Sequence, residues 1–252
     1  MTDSQITLVL PDTVVVAGAA RGIGRAIATD LSALGCAVVA VDVEAAVEEF
    51  ASAGGRRSAL VADVTADDTA ARVGELVTAT EPGTTRLVYA AFTEERAAFT
   101  DGTRDGWGRT FEVSVGAAAN LLRAFATWPG ARSAVLVGSV HARATMPGFS
   151  AYAVAKAGLT GLVRAAALEL GPLGIRVNEV DPGFVRVERN EHVWSDPAQR
   201  DRVVRSYPLG RLAEPRDVST VVRFLLGDDS AYVTGASIPV DGGLLTQLPE
   251  NR

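Results

Sequence analysis

Short runs of apolar residues alternate along the chain with longer segments whose apolar residues recur at helical spacing. Residues 13–17 form the first apolar run, and in residues 23–34 apolar side chains recur every three to four positions until Gly35. Strands that are apolar throughout, rather than alternating with polar residues, are buried on both faces of a sheet. The pattern therefore predicts parallel strands that are connected by helices.

The same alternation continues along the rest of the chain. It predicts strands over residues 13–17, 37–41, 58–62, 87–91, 134–137, 175–180 and 237–240. It predicts helices over residues 23–34, 45–53, 67–80, 107–128, 152–170 and 218–226. We therefore predict an α/β fold: a Rossmann-like, doubly wound parallel sheet of about seven strands with helices on both faces, in a single domain over residues 1–252.

Residues 184–215, called the lid segment below, do not follow this alternation. The segment carries polar residues and prolines and has no strand pattern. It follows the carboxyl end of the sixth predicted strand, where ligands bind in doubly wound folds. We interpret it as a mobile lid over the substrate, with a plain surface excursion as the alternative.

A glycine-rich turn stands between the first strand and the first helix. Gly18, Gly22 and Gly24 allow a tight turn and a close approach of a pyrophosphate, and the helix N-terminus offers free N–H groups to the phosphates. Asp42 ends the second strand, where a carboxylate binds a ribose diol and repels a 2′-phosphate; an ordinary turn residue is the alternative. The turn predicts NAD rather than NADP, although the cation of Arg21 works against that preference.

Tyr152 and Lys156 are four positions apart in a predicted helix and therefore lie on one face. A nearby ammonium favours the phenolate and makes a tyrosine, whose ordinary pKa is about 10, usable as a general acid or base. Lys156 is the one lysine among 24 basic residues, which makes its place beside Tyr152 notable; an exposed helix pair is the alternative. Ser139 ends the fifth strand at the same edge of the sheet, where its hydroxyl can hold a substrate oxygen.

Together these residues resemble the short-chain dehydrogenase/reductase family. The resemblance rests on Gly18-x3-Gly22-x-Gly24, Asp63-Val64, Ser139, Tyr152-x3-Lys156, Asn178 and Pro182-Gly183. It implies a nicotinamide cofactor, a Ser–Tyr–Lys site and a homotetramer. It also implies a set of residues in contact with the cofactor: Gly18, Arg21, Gly22, Ile23, Gly24, Asp42, Asp63, Val64, Ala90, Tyr152, Lys156, Pro182, Gly183 and Val185.

The chain departs from the family pattern at several positions. Ala17 stands where the family begins its glycine motif with Thr, and residues 89–92, Tyr-Ala-Ala-Phe, stand where the family has Asn-Asn-Ala-Gly. The bulky Phe92 thus replaces a Gly that lets the cofactor ribose come close. Ser114 replaces the Asn that anchors a proton-relay water, and Val187 replaces a Thr. These departures keep two alternatives open: a non-redox isomerase, dehydratase or cyclase, and a decayed relative that acts as a binding partner.

Three further residues are candidates for the substrate site. His141 lies two positions beyond Ser139 and either faces the cleft or caps a loop. His192 and Trp194 lie in the lid segment, where we predict a substrate wall; a solvent-exposed pair is the alternative.

The composition of the chain mainly argues against certain classes of function. Apolar residues make up 48% of the chain, which is enough to fold, and the net charge of −6 argues against a basic surface for nucleic acid. One Cys and two His argue against a zinc site, so no metal is predicted. No apolar run approaches the roughly 20 residues of a membrane span, and residues 1–11 do not resemble a secretory signal. We expect a soluble, cytoplasmic protein with a small-molecule substrate.

Overall fold

Seven strands form one parallel sheet in the part of the chain that the computed structural model describes, residues 12–248. The strands are β1 (Thr13–Ala17), β2 (Ala37–Asp42), β3 (Arg57–Val61), β4 (Thr85–Tyr89), β5 (Ala131–Val137), β6 (Arg176–Pro182) and β7 (Ser237–Val240). Their order in the sheet is β3-β2-β1-β4-β5-β6-β7. The prediction for residues 1–11 lies outside the described residues.

Helices cover both faces of this sheet. They are α1 (Gly22–Ala33), α2 (Val47–Ser52), α3 (Thr69–Ala79), α4 (Arg104–Phe111), α5 (Ala117–Phe125), α6 (Ser150–Leu170), α7 (Glu191–Trp194), α8 (Pro197–Val204) and α9 (Pro215–Leu226). The buried residues of α3, α5 and α6 pack on one face, and those of α1, α2 and α9 pack on the other. Alternate residues of β1, such as Val14 and Val15, belong to opposite cores, which explains why the strands are apolar throughout. The prediction of a doubly wound single-domain fold is confirmed.

The fourth strand differs from its prediction. β4 covers Thr85–Tyr89 rather than residues 87–91, because a charged residue lies inside it. The buried Arg86 side chain donates from Nε to the carbonyl oxygen of Leu226 at 3.0 Å, which satisfies the cation within the core. The run of apolar residues therefore predicts the strand two positions too late in the sequence. Residues 90–92 follow the strand and lie at the edge of the sheet where ligands bind.

The predicted helix over residues 107–128 is interrupted. A π-helical turn, Glu112–Gly116, separates α4 from α5 and inserts an extra residue into the helical register. Such turns occur most often at functional sites. One inserted residue does not visibly change the spacing of apolar residues, so the sequence predicted a continuous helix.

The lid segment contains α7 and α8, whose residues are not buried, and a bridge between Val185 and Ala213 closes its base. Among residues 12–248, no helix is both long enough and apolar enough to cross a membrane.

Candidate active site

Ser139, Tyr152 and Lys156 come together at the carboxyl edge of the sheet. Ser139 follows β5 and its Oγ accepts the backbone N–H of His141 at 3.2 Å, while Tyr152 and Lys156 lie on the first turns of α6. Burial raises the pKa of Tyr152 to about 12, and a hydrogen bond with the Ser139 hydroxyl opposes this shift. The serine and the tyrosine hydroxyls are thus neighbours, as a shared substrate oxygen requires.

Lys156 is buried beneath this pair with 3% of its surface exposed. Its Nζ donates to the carbonyl oxygen of Val137 at 2.7 Å and lies 5.6 Å from the centre of the Tyr152 ring. Burial lowers the pKa of Lys156 to about 8, while the negative charges of Glu179 and Asp181 oppose this shift. The ammonium has three N–H donors, so the bond to Val137 does not exhaust them.

Aromatic rings enclose Tyr152. The ring centres of His141, Phe92 and Phe149 lie 5.5, 6.1 and 6.3 Å from that of Tyr152. His141 thus faces the site, and its Nδ1 lies 2.9 Å from Thr145 Oγ1. Burial lowers the pKa of His141, which favours the neutral ring at pH 7. Phe149 was not predicted as a site residue, although an aromatic residue three positions before Tyr152 is a usable signal.

Ser114 lies in the π-helical turn, which packs against α6. Its side chain is fully buried, and among the described residues its Oγ has no hydrogen-bond partner. Tyr89, at the position of the family's first Asn, donates from its hydroxyl to the carbonyl oxygen of Val113 in the same turn. A buried hydroxyl without a protein partner is suited to holding a water molecule.

The glycine turn has the geometry of a pyrophosphate site. Gly18 has a φ of +84°, and a Cβ there would lie 2.5 Å from the backbone nitrogen of Ala91. A Cβ on Gly24 would collide with the carbonyl oxygen of Gly18. No side chain caps the N-terminus of α1 after Arg21, so its first N–H groups remain available for phosphate oxygens.

Acidic groups lie where the adenosine ribose of a dinucleotide is expected. Asp42 accepts backbone N–H groups from Ala20 at 2.9 Å and Glu44 at 3.1 Å, which fixes its carboxylate at the end of β2. Arg21 forms an exposed ion pair with Glu44, which neutralises the cation beside Asp42. Asp63 accepts N–H and O–H bonds from Thr65, and these bonds lower its pKa. The residues at this end therefore fit a dinucleotide.

The other predicted cofactor residues line the same edge. Ile23 and Val64 are partly buried against the two cores, and the N–H of Ala90 donates to the carbonyl oxygen of Ala17 at 2.8 Å. Beyond β6, a Cβ on Gly183 would lie 3.1 Å from the Tyr207 ring, and Val185 is buried.

The Phe92 ring narrows the space beside Lys156, where the family resemblance places the nicotinamide ribose. The centre of its ring lies 5.7 Å from Lys156 Nζ, next to the ammonium that the family resemblance assigns to the ribose. The guanidinium of Arg189, in the lid segment, lies 4.7 Å from the same ring centre. The Phe92 ring therefore occupies space directly beside the Lys156 ammonium.

A charged cluster missed by the sequence analysis covers the aromatic rings. Glu94 accepts hydrogen bonds from Arg96 and Arg189, each at 2.7 Å. Arg96 in turn lies 4.7 Å from the ring centre of Phe149. The pairing joins the loop after β4 to the lid segment across 95 positions, which no local sequence pattern reveals.

The structure does not bring the predicted substrate wall to Tyr152. His192 is exposed on α7. The indole N–H of Trp194 donates to the carbonyl oxygen of Val187 at 2.9 Å, and its ring lies under Arg186 and lines a cavity of about 770 Å³ beside α1. The indole turns to this side because a partly buried N–H needs an acceptor, which Val187 supplies.

Comparison with known proteins agrees with this architecture. The sequence model of the family described as enoyl-(acyl carrier protein) reductase matches residues 18–245. The chain is 34% identical to (3R)-3-hydroxyacyl-CoA dehydrogenase of Mus musculus, covering 91% of this chain and 95% of that protein. It is also 34% identical to L-rhamnose 1-dehydrogenase (NAD(P)(+)) of Azotobacter vinelandii, covering 96% and 99%. A short-chain type dehydrogenase/reductase from Mycobacterium ulcerans superposes with a TM-score of 0.84 at 31% identity, covering 93% and 90%. The chain therefore belongs to the short-chain dehydrogenase/reductase family of oxidoreductases.

Proposed function

We propose that the protein transfers hydride between NAD(H) and a secondary alcohol or ketone. The observation that carries this proposal is that Tyr152 lies with the buried Ser139 and Lys156 at the sheet edge that also carries a glycine turn with uncapped helical N–H groups. The relatives named above, a hydroxyacyl-CoA dehydrogenase and a rhamnose dehydrogenase, support an alcohol or carbonyl substrate.

In this mechanism, Ser139 holds the substrate oxygen and Tyr152 moves the proton. The nicotinamide supplies or accepts the hydride when it is bound. During ketone reduction the Tyr152 hydroxyl gives its proton to the substrate oxygen, and the Lys156 ammonium stabilises the phenolate that remains. During alcohol oxidation the same proton moves in the opposite direction. The rings of His141 and Phe149 pack beside the Tyr152 ring during this exchange.

Ser114 is proposed to hold the water that returns a proton to the site. Its buried, unpartnered Oγ supports this role within the described structure. A serine reaches less far than the Asn of the family pattern, so the water has to lie closer to the π-helical turn. On the cofactor side, we propose contacts from the glycine turn, Asp42, Asp63, Val64, Ala90, Pro182, Gly183 and Val185.

Asp42 is proposed to select NAD over NADP. We expect the parent protein to bind NADH more tightly than NADPH, and Asp42→Asn to reduce this preference several-fold, because like charges repel strongly in a partly desolvated site. The amide side chain of this variant would keep an oxygen acceptor for the Ala20 N–H. Fluorescence titration with both cofactors measures the ratio. Equal or tighter binding of NADPH by the parent would mean that Arg21 outweighs Asp42.

The lid segment is proposed to close over the bound substrate. In the free protein we expect its backbone amides to exchange hydrogen faster than those of α6, since α7 and α8 contribute no buried residues. Adding NADH and substrate should slow exchange across residues 184–215. Full protection without any ligand would instead identify a fixed structural element. We also propose a homotetramer located in the cytoplasm, which sedimentation and fractionation would test.

A non-redox reaction is the second candidate, and the position of Phe92 favours it. The ring stands beside Lys156, where the nicotinamide ribose would otherwise lie. The deciding experiment is to titrate NADH by fluorescence and then follow nicotinamide absorbance with a panel of ketones and secondary alcohols. Absence of NADH binding would contradict the proposed hydride transfer.

A further inference from the structure

Two acids lie fully buried in β6, one on each side of Val180. Glu179 and Asp181 have no exposed surface and point to the face that carries α6. They fill the space above Gly138 of the adjacent chain segment, because a Cβ there would collide with Glu179 Oε1 and with Asp181 Oδ1. The two carboxyl groups are therefore in close proximity, and the mechanism above uses neither of them.

Asp181 has partners that match its negative charge. Its Oδ2 accepts a hydrogen bond from Ser237 Oγ and lies 3.3 Å from the guanidinium of Arg143, whose other bonds go to Ser237. Its other oxygen, Oδ1, has no hydrogen-bond partner among the described residues; burial raises the pKa of Asp181, while the Ser237 hydroxyl and Arg143 oppose this shift. Asp181 is thus held as the charged member of the pair.

Glu179 lacks comparable partners. Among the described residues, neither of its carboxyl oxygens has a well-formed hydrogen bond. Burial and the charge of Asp181 raise the pKa of Glu179 to about 7, while Thr160 and the Lys156 ammonium oppose the shift. Two buried carboxyl groups in contact do not ionise together readily, so the proton that the pair retains belongs on Glu179.

The Lys156 ammonium is bound to the same chain segment that these two acids contact. Its Nζ is bound to Val137, the residue directly before Gly138. Among the charged groups that shift the pKa of Lys156, Glu179 raises it most and Asp181 raises it next, whereas Arg189 of the lid segment lowers it. The other charged groups named around this site form ion pairs: Arg143 pairs with Asp181, and Glu94 pairs with Arg96 and Arg189.

We propose that Glu179 is a positioning residue for the reaction centre and that its carboxylate, in the ionised form, keeps the buried Lys156 ammonium charged. Burial alone drives a lysine towards its neutral form, which cannot stabilise a phenolate. The charge of Asp181 favours the proton on Glu179. The inference rests on the proposed role of Lys156, but its test observes the lysine itself, so failure of the inference and failure of hydride transfer are separate outcomes.

The single lysine allows a direct test by NMR. Protein grown with lysine labelled at ¹³Cε gives one lysine signal, that of Lys156, when any purification tag lacks lysine. In the parent we expect a main inflection near pH 8 and a smaller one near pH 7, where Glu179 ionises. In Glu179→Gln the smaller inflection should disappear and the main one should fall by about one pH unit, because an opposite charge is lost.

Two controls separate charge from structure. Asp181→Asn should move the lysine inflection less than Glu179→Gln does, because Glu179 then ionises at a lower pH and still faces Lys156. Glu169→Gln, an exposed change on the same helix as Lys156, should leave the titration unaltered. An unchanged Lys156 titration in Glu179→Gln would overturn the proposal. If that variant does not fold, a single inflection in the parent protein would overturn it equally.

Discussion

Tyr152→Phe is expected to lower turnover by about 10²–10⁴-fold, the usual contribution of a positioned general acid or base. The change removes one hydroxyl and keeps the ring, which packs among His141, Phe92 and Phe149. Cofactor affinity and thermal stability should therefore stay close to those of the parent. Steady-state rates followed by nicotinamide absorbance, NADH titration and a thermal unfolding curve measure the three quantities.

Tyr232→Phe is the matched control, because Tyr232 is fully exposed and the same hydroxyl is removed. It should leave the rate unchanged. Full activity of Tyr152→Phe on an identified substrate would contradict the mechanism. If instead the change abolished a reaction that produces no change in nicotinamide absorbance, the non-redox candidate would replace hydride transfer.

The order of strands and helices was largely predictable, because β1 and β2 are buried on both faces and are therefore almost entirely apolar. Such strands cannot contain many polar residues without losing stability. The exceptions were local. The start of β4 was not predicted because Arg86 is a charged residue buried in the core. The π-helical turn at Glu112–Gly116 was not predicted because the spacing of apolar residues around it is regular.

The site was predictable to the extent that its residues are close in sequence or belong to a family motif. Tyr152 and Lys156 are one helical turn apart, and the glycines of the first turn are consecutive in the motif. Contacts between distant segments left no such pattern, as the pairing of Glu94 with Arg189 illustrates. Glu179 and Asp181 did leave a signal, since acids inside a predicted buried strand are unusual, but only the structure shows that Gly138 makes room for them.

The orientation of Phe92 also required the structure. Its ring is 39% exposed, stacks edge-on against Tyr152, and lies beside both Lys156 and Arg189. The sequence gives the bulk of the side chain but not the rotamer that places the ring beside Lys156. Glu94 contributes by holding Arg189 above the ring, so that opening the site involves the lid segment as well.

Phe92→Gly is therefore expected to tighten NADH binding on the order of ten-fold. Burying a Phe side chain is worth about 1.5–3 kcal/mol, and about 1.4 kcal/mol corresponds to ten-fold in affinity. Because Phe92 is already partly exposed, turning it aside costs an amount near the lower limit, and removing the ring removes that cost. Fluorescence titration with NADH measures the change.

ADP serves as the matched ligand, because it occupies the adenosine and pyrophosphate positions without reaching Lys156. Its affinity should be the same in the parent and in Phe92→Gly. Phe99→Ala provides the matched protein control, since Phe99 is 75% exposed and packs on Trp107 rather than on the site. A parallel gain for NADH and ADP would place the effect outside the nicotinamide end. An unchanged NADH affinity would mean that the ring turns aside without cost, and Phe92 would then no longer favour a non-redox reaction.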